Sequence, residues 1–382
     1  MRIAYLLLHD FRFASIGLDE FASDRYHFSK EYARRMADLG HEVELYVMFD
    51  GIRGSRELEL DGYRIKAFGV DARFPPGLNF GNAHSFQALK GLDSFHPDVV
   101  HLHNYYLWSF PFAASWVKKG RFPLVAQYHG TDPIRSAKGL LFAPWLNACD
   151  RILVPSESER AFLGKVLLTR NRLALYPSTG VDTEEFRPLG GKDSQPLLLY
   201  VGRVPLDPDY RWEKSPQLLL PILKSLREAG SRATLLIAGD GPGLAKMKEQ
   251  ASSMGLSASV QFVGQLSHHS LPDLYSRASL TFVPFLLKEI TPFWDGALQE
   301  SLACGTPVVG FSDGAPRFSG LGVLVPTDPT IASQTIVKAL DDEPWARSAG
   351  EAGPRAIGTT SEWGRLAKDL SSTYAGMAEA RH

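Results

Sequence analysis

Cysteine is nearly missing from this 382-residue chain: Cys149 and Cys304 stand far apart, with no spacing for a disulfide framework or a metal knuckle, so a reducing compartment is expected. Neither sign of charge is in excess, with 41 Lys and Arg against 42 Asp and Glu. That balance argues against nucleic acid as a partner, because binding its backbone calls for a basic surplus. No apolar run approaches the length of a membrane span, and the opening Met-Arg-Ile-Ala-Tyr-Leu-Leu-Leu-His-Asp is too short in its apolar part for a secretory leader. A soluble cytoplasmic protein is the expectation, with peripheral attachment to the inner face of a membrane left open. Internal repeats and low-complexity segments are absent as well.

What is present is an ordinary globular composition, 44% hydrophobic and 22% charged, in a chain too long for one comfortable core. Residues 2–8 read as a buried strand, and Phe28, Tyr32, Met36 and Leu39 as one face of a helix that ends at Gly40. Val43 to Met48, a hairpin about Asp61-Gly62, and strands at 98–103, 124–129 and 151–155 follow. The stretch Pro177 to Pro196 is rich in Pro, Gly, Thr and Asp and reads as a connection. Beyond it, strands at 197–201, 233–238, 260–263, 280–283 and 323–325 alternate with helices. The last helical stretch, 362–378, presents Trp363, Leu366, Leu370 and Tyr374 as a stripe. Alternation of this kind predicts α/β architecture: two doubly wound, Rossmann-like parallel sheets facing across a cleft, with ligands at the carboxyl ends of the strands.

The densest signal is Asp295 to Phe311. Leu298, Leu302 and Ala303 recur at helical spacing, Gly305 can stop the helix, and Pro307-Val308-Val309 opens a buried strand. The helix start, with Asp295 and Gly296 before it, directs backbone N–H groups and the positive end of the dipole at whatever lies ahead. Glu300, one turn in, is an acceptor suited to the vicinal hydroxyls of a ribose. A nucleotide-phosphate pocket and an ordinary capped helix are the two readings.

In order along the chain stand His41-Glu-Val, Pro97-Asp-Val-Val-His-Leu-His103, Tyr128-His-Gly130 and Gly180-Val-Asp182 running to Phe186-Arg-Pro. Tyr200-Val-Gly-Arg203 with Glu213-Lys214 comes next, followed by Ile237-Ala-Gly-Asp240-Gly-Pro, Phe262-Val-Gly264, Pro284 and Glu300-Ser-Leu-Ala-Cys-Gly-Thr-Pro-Val-Val. Taken together, this ordered set resembles the family 4 retaining glycosyltransferases over nearly the whole chain. The resemblance implies the GT-B fold, with an acceptor-side domain at 1–186, a nucleotide-sugar domain at 187–361, and a C-terminal helix of about 362–382 packed back onto the first. It also implies a retaining transfer, without metal or other cofactor, of a sugar from a nucleoside diphosphate (UDP or GDP) to the hydroxyl of a saccharide, a lipid-linked glycan or a small molecule.

On that resemblance Arg203 and Lys214 stabilise the departing diphosphate together with Gly296, Ala297 and Leu298. Gly17 lets backbone approach it, Glu300 holds the ribose, and Val263 and Gly264 flank the base, with Asp240 also on the donor side. His129 orients the reacting sugar. The family's first glutamate falls on Pro292, so Glu289 or Asp295 is expected to replace it. His103, Asn104, Tyr105, Trp108 and Asp132 are the acceptor-side candidates, core packing being the competing reading for the aromatic ones. Val204 to Trp212 is longer than the family has there, and its Asp207-Pro-Asp209 is read as surface rather than a magnesium pair. His101 and His103 share one strand face but lack a third ligand for zinc. The basic run Trp116 to Arg121 suits a solvated face or an anionic membrane. An epimerase, a phosphorylase or a catalytically silent sugar-nucleotide-binding subunit on the same architecture are the rivals.

Overall fold

The computed structural model describes residues 1–380 apart from 13–15, 24–25, 79–80, 131–134, 169, 212 and 292–294. It divides into two compact units, Met1–Thr179 with Trp363–His382, and Gly180–Glu362. Val181 N donates to Ser361 O at 2.8 Å and Phe186 is buried in the second unit's core, so residues 180–186 belong there, ahead of the boundary expected at 186.

The first unit is built on an eight-stranded sheet in the order Leu173–Leu175, Arg151–Val154, Leu124–Gln127, Val99–His103, Arg2–Asp10, Glu42–Phe49, Tyr63–Gly69, Ser55–Leu60. All neighbours are parallel except the last pair, a hairpin whose Asp61 and Gly62 both have positive φ, as the tight two-residue turn requires. Every residue of Arg2–Asp10 after the first is buried. Its side chains alternate between two cores: Ala4, Leu6 and Leu8 in one, Ile3, Tyr5 and Leu7 in the other. The C-terminal helix Trp363–Glu379 completes the second of these cores with Trp363, Leu366, Leu370 and Tyr374.

The second unit has seven strands, ordered Val260–Gly264, Thr234–Ala238, Leu197–Val201, Leu280–Leu286, Val308–Phe311, Gly322–Val325, Arg317–Ser319, parallel but for the last pair. Elements not legible in the sequence include the short edge strands Leu173–Leu175 and Arg317–Ser319 and the helix Glu343–Thr360. The latter contains Gly350, Gly353 and Pro354, which lower helix propensity, and tertiary contact overrides that preference. A Cβ on Gly353 would fall 2.5 Å from Leu302 O, so the glycine is what lets this helix lie directly on Gly296–Ala303. No helix among the described residues is long and apolar enough to cross a membrane.

Candidate active site

In the second unit the chain leaves Leu197–Val201 at Gly202, and three loops knit together at that carboxyl end. Gly202 N donates to Ala238 O at 3.0 Å, Val204 N to Asp240 O at 2.8 Å, and Gly239 N to Gly264 O at 2.7 Å. The glycines of Gly239-Asp-Gly-Pro-Gly243 are spaced for this contact. Added Cβ atoms would lie 1.9 Å from Gly202 O, 2.4 Å from Val204 O and 2.0 Å from Pro205 O, at Gly239, Gly241 and Gly243 respectively. Since the opposing atoms are backbone, no side chain can swing away. Gly239→Ala is expected to destabilise the second unit by about 3 kcal/mol or more, measured as a lower urea midpoint; an unchanged midpoint would refute the contact.

Arg203 and Lys214 emerge from this platform. The Arg203 guanidinium, half-exposed, pairs with Glu213, while its carbonyl accepts from Tyr200 OH at 2.5 Å. Lys214 Nζ lies 2.9 Å from Asp295 Oδ2, and the following Ser215 N is anchored to Pro284 O at 2.8 Å. Asp295 has two duties, because its Oδ1 also caps the helix Gly296–Ala303 by accepting from Leu298 N at 3.1 Å. One carboxylate therefore ties Lys214 to a helix start, whose first N–H groups, from Gly296 and Ala297 onward, have no partner within the helix. The arrangement is a pair of cations and a helix N-terminus in one unit, the chemistry that takes a phosphate group.

Glu300 is 7% exposed, and a carboxylate that deep needs donors. It has two: Tyr275 OH gives 2.9 Å to Oε2, and His268 Nε2 stands 3.0 Å from Oε1. Burial and the adjacent Glu300 raise the Tyr275 phenol well above its ordinary range, so it stays a donor. Neither partner was singled out from the sequence. The available signal was a tyrosine on the buried face of a helix, where its hydroxyl must find a polar partner.

Val263, 41% exposed, and Gly264, at φ +72°, end an edge strand. Asp240 is exposed and takes Gly241 N at 2.6 Å. Glu289 is exposed between buried Leu287 and Ile290, and Pro292 lies outside the described residues. In the long segment after Arg203, Asp207 pairs with Lys246 at 2.7 Å and Asp209 with Arg211 at 2.8 Å, each acid facing its own cation. Tyr210 holds the segment down, its OH on Asp313 at 3.0 Å and its carbonyl accepting from Leu286 N at 2.7 Å.

The first unit gathers histidines. His129 Nδ1 is 2.7 Å from Ser178 O, and its Nε2 is 2.7 Å from His103 Nδ1. A carbonyl only accepts, so His129 carries its proton on Nδ1, accepts at Nε2, and His103 donates from Nδ1. His103 and His101 stack at 4.4 Å, and His101 Nδ1 meets Tyr374 OH at 2.6 Å. Phe28 stacks on His129 at 4.3 Å. Burial keeps all of them neutral: it pushes His129 down to about 3 and His9 to about 4, and holds His101 and His103 well below the ordinary range.

Two of the acceptor-side expectations change here. His103 and Tyr105 are fully enclosed, so neither presents a surface to a ligand. His103 instead braces His129, and Tyr105 OH bonds Glu159 at 3.2 Å within the core. Asn104, at φ +70°, turns the chain and accepts His129 N on its side chain at 3.0 Å. Trp108 keeps part of its ring accessible beside Phe142 and Lys138. Asp132 lies outside the described residues. Gly17 precedes the helix Leu18–Ala22 at φ −86°, which any residue adopts, and nothing approaches its Cβ position within 4 Å.

Family models match both parts of the chain: Glycosyltransferase Family 4 over residues 28–185 and Glycosyl transferases group 1 over 181–355. A D-inositol 3-phosphate glycosyltransferase of Streptosporangium roseum is 29% identical, over 92% of this chain and 88% of that one. The alpha-monoglucosyldiacylglycerol synthase of Streptococcus pneumoniae is 26% identical over 62% of this chain, which spans little more than half, 56%, of that relative. Among solved structures, a sucrose-phosphate synthase from Thermosynechococcus elongatus superposes with a TM-score of 0.69 at 18% identity, covering 100% of both chains. HepE of Anabaena in complex with UDP-glucose gives 0.67 at 14% identity, over 98% of this chain and 100% of that one.

Proposed function

The chain belongs to the family 4 glycosyltransferases and has their GT-B fold, and from this premise we propose a retaining, metal-independent transfer of a sugar from UDP or GDP to an acceptor hydroxyl. Use of a nucleotide sugar follows from the family. The observation that carries the finer reading is the second unit's Lys214–Asp295 pair at the start of a helix that bears Glu300 one turn further in. A diphosphate at that helix start is met by Arg203, Lys214 and the N–H groups of Gly296 and Ala297, while the Leu298 N–H stays on the Asp295 cap that shapes the helix start. Glu300 then accepts from the ribose, with Val263, Gly264 and Asp240 toward the nucleoside.

Two fixed cations neutralise the leaving group, which is why a metal is not required in this scheme. Asp295 is committed to its cap and to Lys214, so Glu289 is the acid proposed to meet the transferred sugar. His129 is proposed in the family's role of orienting that sugar, with the Ser178 carbonyl fixing its tautomer, His103 bracing its Nε2 and Asn104 holding its backbone. Gly17 keeps its assignment near the diphosphate because the space about it is open. Part-exposed Trp108, together with Asp132, remains proposed toward the acceptor, a saccharide, lipid-linked glycan or small-molecule alcohol.

Thermal unfolding with UDP, GDP, ADP and TDP, each with and without EDTA, tests this reading. One diphosphate at about a hundred times its dissociation constant is expected to add about 2.7 kcal/mol, with EDTA making no difference. No response to any of them at saturation would refute the nucleotide site, and a response without diphosphate release from the sugar nucleotide would favour the silent-subunit reading. A response abolished by EDTA would remove the metal-independent part.

A further inference from the structure

Glu300 projects from a helix on which every residue from Ala297 to Ala303 is buried, so its carboxylate has little freedom to seek solvent. Its direction is set from outside that helix. His268 comes from the short turn His268–Ser270 that follows Gly264, and Tyr275 from the helix Leu271–Arg277. Both are held in turn: the Phe186 ring lies 4.8 Å from His268 and 6.3 Å from Tyr275, and Thr306 Oγ1 donates to Tyr275 O at 2.5 Å.

Each carboxylate oxygen accepts one of these donors and, having two lone pairs, keeps capacity for another. The two bonds, at 3.0 and 2.9 Å, pin both oxygens and leave them a side-by-side pair of acceptors, the pattern that matches a cis-diol. We propose that His268 and Tyr275 are positioning residues that aim Glu300 and thereby set the nucleoside site's preference for a ribose over a deoxyribose. This rests on the reading of Glu300 as the ribose acceptor. Without Tyr275 OH or His268, a nearly buried carboxylate lacks one of its fixed donors and turns toward another, and the diol loses one of its two acceptors.

The test is calorimetric titration of the whole protein with UDP and GDP and with their 2′-deoxy and 3′-deoxy counterparts. Wild type, Tyr275→Phe, His268→Ala and His268→Gln are compared, with thermal unfolding run alongside. Wild type is expected to prefer the ribonucleotide by tenfold or more. Tyr275→Phe and His268→Ala are expected to lose about tenfold in ribonucleotide affinity and to bind the deoxy forms almost equally. His268→Gln, whose amide N–H can serve the same oxygen, should restore most of the preference, and donor KM should rise by a larger factor than kcat falls. Folded variants that keep the wild-type preference would overturn the proposal. Equal binding of ribo and deoxy forms by wild type would remove Glu300 as the ribose reader, and binding of neither would instead refute the nucleotide site itself.

Discussion

Replacing Arg203 by alanine is expected to cut turnover by about a hundredfold, and Lys214→Ala by at least as much, with nucleoside diphosphate release at saturating donor as the readout. The charge that leaves with the diphosphate must be met as it develops, and these two cations stand at one end of the second unit's sheet. Each is held by an acid, Arg203 by Glu213 and Lys214 by Asp295, and these pairs fix both cations at that end of the sheet. Lys214 is the less exposed, at 21% against 51% for the Arg203 side chain, and water screens it less. Lys214→Ala also leaves the Asp295 carboxylate with only its helix cap, a modest stability loss to be measured beside activity. Lys214→Arg separates charge from geometry: it keeps the cation but places a planar fork where a point charge stood. Full turnover in either alanine variant would sink the assignment.

Acidification from pH 7 to 5 is expected to destabilise the first unit by several kcal/mol. An exposed histidine titrates near 6.5, whereas His129 stays neutral down to about 3 and His9 to about 4, because burial disfavours the charged ring. Unfolding therefore takes up protons below about pH 6.5. With more protons bound in the unfolded state, stability falls as pH falls, by up to about 1.4 kcal/mol per unit for each such group. Over that window His9 and His129 together contribute roughly 4 kcal/mol, and His101 and His103, displaced in the same direction by burial, add to it. Urea unfolding at pH 7, 6 and 5, with hydrogen exchange followed in Val99–His103, reads the effect. A midpoint independent of pH would mean that the histidines are solvated, contrary to the packing described.

The same residues divide what could be read along the chain from what could not. The strand Arg2–Asp10, the hairpin at Asp61-Gly62, the stop at Gly305 and the stripe of Trp363, Leu366, Leu370 and Tyr374 all announce themselves, because each is a local pattern of apolar period or turn chemistry. Arg203, Lys214, Asp295 and Glu300 were legible as candidates through the order of their motifs. The helix Glu343–Thr360 was not, since its glycines argue against a helix until Leu302 O is seen 2.5 Å from where a Cβ would be.

Local order along the chain thus sufficed for two α/β units and for the residues that carry charge at the strand ends. Only folding decided how those residues are held. His268 and Tyr275 reach Glu300 across 32 and 25 positions, and His103 meets His129 across 26. A periodicity reports which face of an element is buried, and not which polar atom of a distant element waits there. The need of a buried polar group for a partner is written in the sequence, whereas the partner's identity is set by packing.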